Sequence, residues 1–275
     1  MAGRLPSFFQ LEEYNVSTED VVRVFLRCSP AAIRSKVIIT PTWGAQIFAS
    51  HTETLTTITD NLVWELRYQG NPLTVIRSGI GAPLTGDIVL ALGCTSCEMV
   101  IFCGSVGGLD ASMGLGDMLV VEKSWCGDGF SRYLSPEVLP PDCFLQVVAP
   151  HPALTARLTA VARMQCAQAA VPLHEGSVFA IDSILAQFFR LDGLAQQYGC
   201  IGIEMETAAT FKAAALIGLQ ASALLQVSDV LPRKKSFFSG ITAQENAVRR
   251  RIRAEVLSKI VLDLLVEESP RSNVQ

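Results

Sequence analysis

The stretch GCIGIEMETAATFKAAALIG, residues 199–218, places two acids where one secondary-structure element gives way to another. Its first half is an apolar run typical of a strand. Its Ala-rich second half has the pattern of a helix that stops at Gly218. Glu204 and Glu206 lie at the junction, with Met205 between them. Because an unpaired acid is costly to bury, two acids at the end of a core strand require a chemical role.

Similar apolar runs recur along the chain and alternate with helical patterns. The strand-like runs are SKVIIT (35–40), LTVIRS (73–78), MVIFCG (99–104), DMLVVE (117–122), GSVFAI (176–181), CIGIEM (200–205) and SALLQVSD (222–229). The helical patterns cover residues 83–94, 151–170, 207–218 and 242–267. Several strand runs are apolar almost throughout, which is typical of strands buried on both faces. The alternation predicts one α/β domain with a mostly parallel or mixed sheet.

The composition sets the boundaries of this domain and suggests that it associates with itself. We assign residues 1–34 to an N-terminal extension, residues 35–267 to the α/β domain and residues 268–275 to a flexible tail. With 49% hydrophobic and only 17% charged residues, the chain can bury a large core. So few charges also suggest surface hidden in a homo-oligomer.

Charge and cysteine content narrow the partners and the compartment. The net charge is −4, which argues against nucleic acid as a partner. No apolar run reaches the ~18 residues of a membrane span, and the acidic N-terminus does not resemble a secretory signal. Most of the eight cysteines lie in apolar runs, as expected for a reduced, cytoplasmic protein. Neither Cys94-x-x-Cys97 nor the histidines complete a metal motif, so we expect no metal and no cofactor.

Ligands of α/β proteins bind where strands end, and several predicted strands end in unusual residues. SGIGAP (78–83) and CGSVGG (103–108) are rich in small residues, which let backbone N–H groups approach an anion closely. The last predicted strand ends in Ser228-Asp229. Taken singly, these glycines fit tight turns and the aspartate fits a helix cap.

Taken together, SGIGAP, CGSVGGL, GIEMETAA and VSD resemble, in order and spacing, the nucleoside phosphorylase and nucleosidase family. This family includes purine nucleoside phosphorylases, uridine phosphorylases and methylthioadenosine nucleosidase. The resemblance runs from about residue 35 to 267, and DGFSRYL (128–134) also looks like a family loop. It implies a single α/β domain around a central mixed sheet, partly closed like a barrel. It also implies cleavage of the N-glycosidic bond of a small-molecule nucleoside.

The resemblance also implies roles for individual residues. Glu206 would bind the ribose 2′- and 3′-hydroxyls, with Met205 packed on the sugar, and Asp229 would bind or protonate a purine base. Further expected contacts are Ile184 and Leu185 with the base, and Gly81, Gly104 and Ser105 with phosphate or water. These roles fit the chemistry, because cleavage leaves positive charge on the sugar and negative charge on the base. We therefore expect Glu206 and Asp229 to be catalytic.

The chain departs from the family where phosphate should bind. Arginines are expected in the loop TPTWGAQIFAS (40–50) and at Phe102, and both places lack one. The sequence therefore slightly favours hydrolysis, although Gln46 could only orient a water. The first alternative is a phosphorylase that uses inorganic phosphate and a relocated cation, for which Arg77, Arg132 and Arg233 are candidates. The second is a non-catalytic nucleoside-binding protein. Arginines 249, 250, 251 and 253 are predicted to form a solvated helix face.

Overall fold

A computed structural model describes residues 3–137, 140–189 and 191–267; the predicted tail, 268–275, lies outside them. The strands are β1 (Lys36–Thr40), β2 (Thr54–Thr59), β3 (Val63–Tyr68), β4 (Asn71–Arg77), β5 (Met99–Gly108), β6 (Met118–Gly127), β7 (Val147–Val148), β8 (Leu173–Ile181), β9 (Cys200–Glu204) and β10 (Gln220–Val230). Each of the predicted strand runs is a strand, namely β1, β4, β5, β6, β8, β9 and β10. The sequence patterns missed the hairpin β2–β3 and the short β7.

The helices lie between these strands and at both ends of the chain. They are α1 (Thr18–Leu26), α2 (Ala82–Leu92), α3 (Pro152–Ala169), α4 (Leu191–Tyr198), α5 (Thr207–Leu216), α6 (Ala243–Ile252) and α7 (Ser258–Val266). The last predicted helix is present, but a π-helical turn, Arg253–Leu257, divides it into α6 and α7. Such turns are frequent at functional sites. The helix α7 buries most of its side chains, whereas α6 buries none.

All the strands belong to one mixed sheet that closes on itself in part. The order is β10-β6-β8-β9-β5-β1-β4-β3-β2, and β10 also pairs with β5. The strands β5, β10, β6, β8 and β9 therefore form a closed ring, and β1, β4, β3 and β2 extend from it. Parallel pairs such as β1–β5 and β5–β10 occur beside antiparallel pairs such as β5–β9. The predicted α/β fold with a central mixed, partly barrel-like sheet is confirmed.

The N-terminal segment packs onto this domain. Val22 and Leu26 of α1 are fully buried and share a hydrophobic cluster with Val37 of β1 and Val100 of β5. A capping box at Ser17 begins α1, because the Ser17 hydroxyl accepts from the backbone of Asp20 while the Asp20 carboxylate accepts from the backbone of Ser17. The boundary between residues 34 and 35 stays a prediction. Among the described residues, no helix is long and apolar enough to cross a membrane.

Candidate active site

The sheet register brings the ends of β9 and β10 to opposite sides of β5. Gly107 of β5 lies beside Ile203 of β9 on one edge and beside Asp229 of β10 on the other. The β5–β10 ladder shifts register between Val227 and Asp229, so Ser228 is an extra residue, as in a β-bulge. Bulges re-aim side chains and are common next to active sites. The acidic residues at the ends of β9 and β10, which are far apart in sequence, therefore lie on either side of Gly107.

A cavity of about 430 Å³ lies at this meeting point. Five of the predicted site residues line it: Ser105, Ile184, Met205, Glu206 and Asp229. Glu204, which the sequence singled out without a role, lines it as well. The volume is within the range of small-ligand pockets. The structure therefore brings the expected sugar, base and anion contacts into a single cavity.

Three other predicted residues lie outside the cavity lining. Gly81 begins α2, and its N–H donates to Glu206 Oε1 at 2.7 Å, so this amide holds the carboxyl group in place. Gly104 is buried within β5, where an added Cβ would come within 2.8 Å of the Phe102 ring. Leu185 is 65% exposed. The roles first assigned to these three residues stay predictions.

The two glutamates are buried and differ in how they are bonded. Glu204 caps the start of α5: its carboxylate accepts from the backbone N–H groups of Glu206 and Thr207, both at 2.7 Å, and from the Thr207 hydroxyl. The Glu206 carboxyl accepts the backbone N–H of Gly81, and no side chain of the described residues donates to it. Burial, and then repulsion from Glu204, raises the pKa of Glu206 well above its ordinary value. Glu206 is therefore the carboxyl group left to bind a ligand.

Asp229 is held by the loop that follows β10. Its Oδ2 atom accepts the backbone N–H of Phe237 at 2.8 Å, and Phe237 also lines the cavity. The side chain of Asp229 is buried. Its Oδ1 atom has no hydrogen-bond partner within the described ranges. One oxygen thus fixes the carboxyl group and the other is left for a ligand.

Two arginines of the C-terminal helix line the same cavity. Arg249 NH1 donates to the carbonyl oxygen of Ser228 at 2.9 Å. Arg253 Nε donates to Gln226 Oε1 at 3.1 Å, and its guanidinium carbon lies 4.0 Å from the ring centroid of Trp43. Arg250 and Arg251 are exposed. The prediction of a solvated face is therefore wrong for Arg249 and Arg253, which the i, i+4 spacing places on one side of the helix.

Arg253 is a cation without a counter-ion in the described part of the chain. No carboxylate lies within salt-bridge distance of it there, and only its Nε atom has a hydrogen bond. Burial and repulsion from Arg249 lower the pKa of Arg253 to about 10, so it stays charged at neutral pH. Because an unpaired charge is costly to bury, this arrangement fits an anionic ligand.

The cations nominated from sequence lie elsewhere. Arg132 pairs with Asp142 at 3.6 Å, and Arg233 donates to the carbonyl oxygen of Ala111 at 2.7 Å. Neither these two arginines nor Arg77 and Gln46 are among the residues that line the cavity. The four-residue spacing of Arg249 and Arg253 in the sequence indicates that they share one face of the helix. It does not show that this face lies against the sheet.

A further cavity residue that sequence reasoning missed is Gln187. Its side chain is 5% exposed and lines the cavity together with Ile184 and Gly107. Its amide has no hydrogen-bond partner within the described ranges. An amide that lines a cavity can both donate to and accept from a bound ligand. Its sequence neighbourhood, LAQFF, gives no sign of such a role.

The closed ring of strands and its cavity define the class of protein. The chain superposes on a uridine phosphorylase from Vibrio fischeri with a TM-score of 0.69, at 22% identity, covering 86% of this chain and 93% of the other. It also superposes on a 5′-methylthioadenosine/S-adenosyl homocysteine nucleosidase from Campylobacter jejuni with a TM-score of 0.66, at 14% identity, covering 84% of this chain and 99% of the other. The fold is that of nucleoside phosphorylases.

Sequence similarity places the chain in the same family. The model of the phosphorylase superfamily matches residues 39–265, so the chain belongs to this superfamily of glycosidic-bond-cleaving enzymes. A DeoD-type purine nucleoside phosphorylase from Mycoplasma pneumoniae is 27% identical over 218 residues, which are 79% of this chain and 85% of that protein. The family membership expected from the sequence motifs is confirmed.

Proposed function

We propose that this protein is a purine nucleoside phosphorylase that binds inorganic phosphate through Arg253, assisted by Arg249. The observation that carries the proposal is the uncompensated charge of Arg253 in the cavity that also holds Ser105 and Glu206. The similarity to a purine nucleoside phosphorylase supports the choice of a purine base. This is the alternative that the sequence alone ranked second.

Arg253 lies at the end of the cavity where phosphate is expected. Its Nε atom is bonded to Gln226, and Gln226 is the β10 partner of Ser105 in the parallel β5–β10 pair. Paired residues of neighbouring strands project on the same face of a sheet. The guanidinium and the Ser105 hydroxyl therefore approach one region, in which a planar donor fork suits phosphate.

In the proposed reaction, the other cavity residues bind the ribose and the base. The ribose lies on Met205 with its hydroxyls donating to Glu206, and the base lies between Ile184 and Asp229. When the bond between C1′ and the base nitrogen breaks, its electron pair leaves with the base. The base takes up, through Asp229, the proton that the hydrogen phosphate ion gives up as its ester forms. A phosphate oxygen then bonds to C1′ and gives ribose 1-phosphate. Glu206 loses its proton on the way to the transition state and, as a carboxylate, stabilises the positive charge on the sugar, while Arg253 aligns the phosphate.

Hydrolysis is the second candidate, because Phe102 and the loop 40–50 lack the expected arginines. The test is base release from inosine, guanosine, adenosine, uridine and methylthioadenosine, with and without inorganic phosphate. Release that requires phosphate and yields a sugar 1-phosphate is the expected result. Phosphate-independent release of free sugar would identify a nucleosidase instead. Binding without turnover of any nucleoside would favour the non-catalytic hypothesis.

The Arg253→Gln variant tests the assignment of the cation. Loss of a charge-assisted contact of about 1.5–3 kcal/mol should raise the KM for phosphate by roughly 10- to 150-fold. Arg251→Gln is a matched control, because Arg251 lies on the same helix and is exposed. In an enzyme that requires phosphate, equal phosphate KM values in both variants would refute the role of Arg253.

A further inference from the structure

One fully buried amide joins the two turns of the helix that carry the cavity arginines. Gln226 of β10 is 0% exposed. Its Oε1 atom accepts from Arg253 Nε at 3.1 Å, and its Nε2 atom donates to the carbonyl oxygen of Arg249 at 3.0 Å. A flipped amide would face donor with donor and acceptor with acceptor, so the chemistry of the partners sets this orientation. Gln226 thus fixes the helix against the sheet at the level of the cavity.

Trp43 holds the flat face of the same guanidinium. The guanidinium carbon of Arg253 lies 4.0 Å from its ring centroid, a distance at which a cation is attracted by the ring. Trp43 is buried in the loop after β1, where its carbonyl oxygen accepts from the Thr40 hydroxyl. Gln226 therefore holds the Nε edge of the Arg253 guanidinium, and Trp43 packs against one of its faces. The two terminal nitrogens of Arg253 are left without partners in the described part of the chain.

Both supports are uncharged, which matters for an anion site. A carboxylate at position 226 could accept from Arg253 Nε, but it could not donate to the Arg249 carbonyl oxygen and it would neutralise the guanidinium. A neutral amide and an aromatic ring orient the cation while its charge stays available to a ligand. No salt bridge to Arg253 is formed within the described ranges, in contrast with the Arg34–Glu65 pair. The choice of Gln226 is thereby explained by the need to attract an anion.

We infer that Gln226 and Trp43 are positioning residues that set the affinity for the anionic co-substrate by holding Arg253 in place without neutralising it. The inference rests on the proposed function, since it requires an anion in the cavity. Gln226 lies outside the cavity lining, and Trp43 lines the cavity beside Arg253; we expect neither to contact the ribose or the base. Changes in them should therefore alter the KM for phosphate and leave the KM for the nucleoside at its normal value.

The decisive variant is Gln226→Glu, which keeps the shape of the side chain, adds a charge and replaces the donor to the Arg249 carbonyl oxygen by an acceptor. We expect the KM for phosphate to rise at least about tenfold, with the nucleoside KM and the kcat at saturating phosphate within about twofold of normal. Gln220→Glu is the matched control, because it adds the same charge to an exposed position of the same strand. A second readout is the rise in Tm on adding inorganic phosphate, which Gln226→Glu should abolish and Gln220→Glu should retain.

Two variants of Trp43 give an independent test, one that removes the aromatic ring and one that keeps an aromatic ring. Trp43→Leu removes the ring and should raise the KM for phosphate by about 5- to 30-fold, whereas Trp43→Phe keeps an aromatic face and should restore most of the affinity. A wild-type enzyme that requires phosphate, combined with normal phosphate KM values in Gln226→Glu and Trp43→Leu, would overturn this inference alone. A wild-type enzyme that ignores phosphate in both activity and Tm would overturn the proposed function and the inference with it.

Discussion

The buried carboxyl group of Glu206 should make the stability of the protein depend on pH in a specific direction. Burial and the neighbouring Glu204 raise its pKa from 4.5 to about 8. Between these values the native state holds a proton that the unfolded state has lost, so stability falls as pH rises. Glu206→Gln removes the titrating group and keeps an oxygen that can accept the Gly81 N–H. The variant should therefore be more stable than the wild type at pH 8, although it should lose activity.

The size of the effect follows from the pKa range. One native-state proton gives a slope of ~1.4 kcal/mol per pH unit. Over the ~3.5 units between 4.5 and about 8, the upper limit is ~5 kcal/mol. Glu204 adds a similar dependence, because burial raises its pKa to about 7. Because the two carboxyl groups repel each other, the difference between variant and wild type reports the titration of Glu206 together with its coupling to Glu204.

The measurement is urea unfolding of the ligand-free protein at pH 5.5, 6.5, 7.5 and 8.5, in buffers without phosphate. We expect the stability difference in favour of Glu206→Gln to grow with pH across this range. Glu122→Gln is the control, because Glu122 is exposed and its removal should leave the pH slope of the wild type intact. Parallel stability curves for the wild type and Glu206→Gln would refute the argument that burial holds a proton on this carboxyl group.

Two further predictions concern the base end of the cavity. Asp229→Asn keeps an oxygen for the Phe237 N–H but loses the acid, so kcat/KM for inosine should fall by about 10²- to 10⁴-fold. If uridine lost as much activity as inosine, a purine-specific contact of Asp229 would be excluded. Gly107→Ala places a Cβ 3.1 Å from Ile203 Cγ2 and should lower stability by about 1–3 kcal/mol and raise the nucleoside KM. Gly193→Ala is the control, because a Cβ at this position has no heavy atom within 4 Å, and it should be neutral or slightly stabilising in urea unfolding. A Gly107→Ala protein as stable as Gly193→Ala would contradict the close contact between position 107 and Ile203.

The strands that sequence reasoning found and missed differ in burial. The run MVIFCG is apolar throughout because β5 is paired on both edges and covered on both faces. The strand β2, TLTTIT, lies at the outer edge of the sheet and has no fully buried residue. Its threonines favour the β conformation but do not form the apolar run that identifies a buried strand. A strand is therefore easier to recognise from the sequence when it lies in the buried centre of the sheet than when it lies at the exposed edge.

The sequence identified Glu206 and Asp229 as cavity residues because they lie within short motifs that follow strands; their roles with sugar and base stay predictions. Glu206 lies two residues after β9, and Asp229 lies near the end of β10. The anion end depended on long-range geometry instead. Arg253 meets Trp43 across 210 positions of sequence, and this meeting requires the closed sheet and the turn before α7. No local pattern distinguishes Arg253 from the exposed Arg251 two positions earlier.

The replacement of the expected arginine by Phe102 is consistent with the position of Arg253. Phe102 is fully buried, and its ring fills the space beside Gly104, so a guanidinium at position 102 would lie in an apolar core without a partner. Arg253 reaches the cavity from the opposite side, over Trp43, where its terminal nitrogens keep access to a ligand. The proposed anion site on the helix would therefore need no charge at position 102. Under the proposed function, the raised pKa of Glu206 and the uncompensated charge of Arg253 have one common explanation: the polar groups of the cavity are satisfied when sugar and anion are bound.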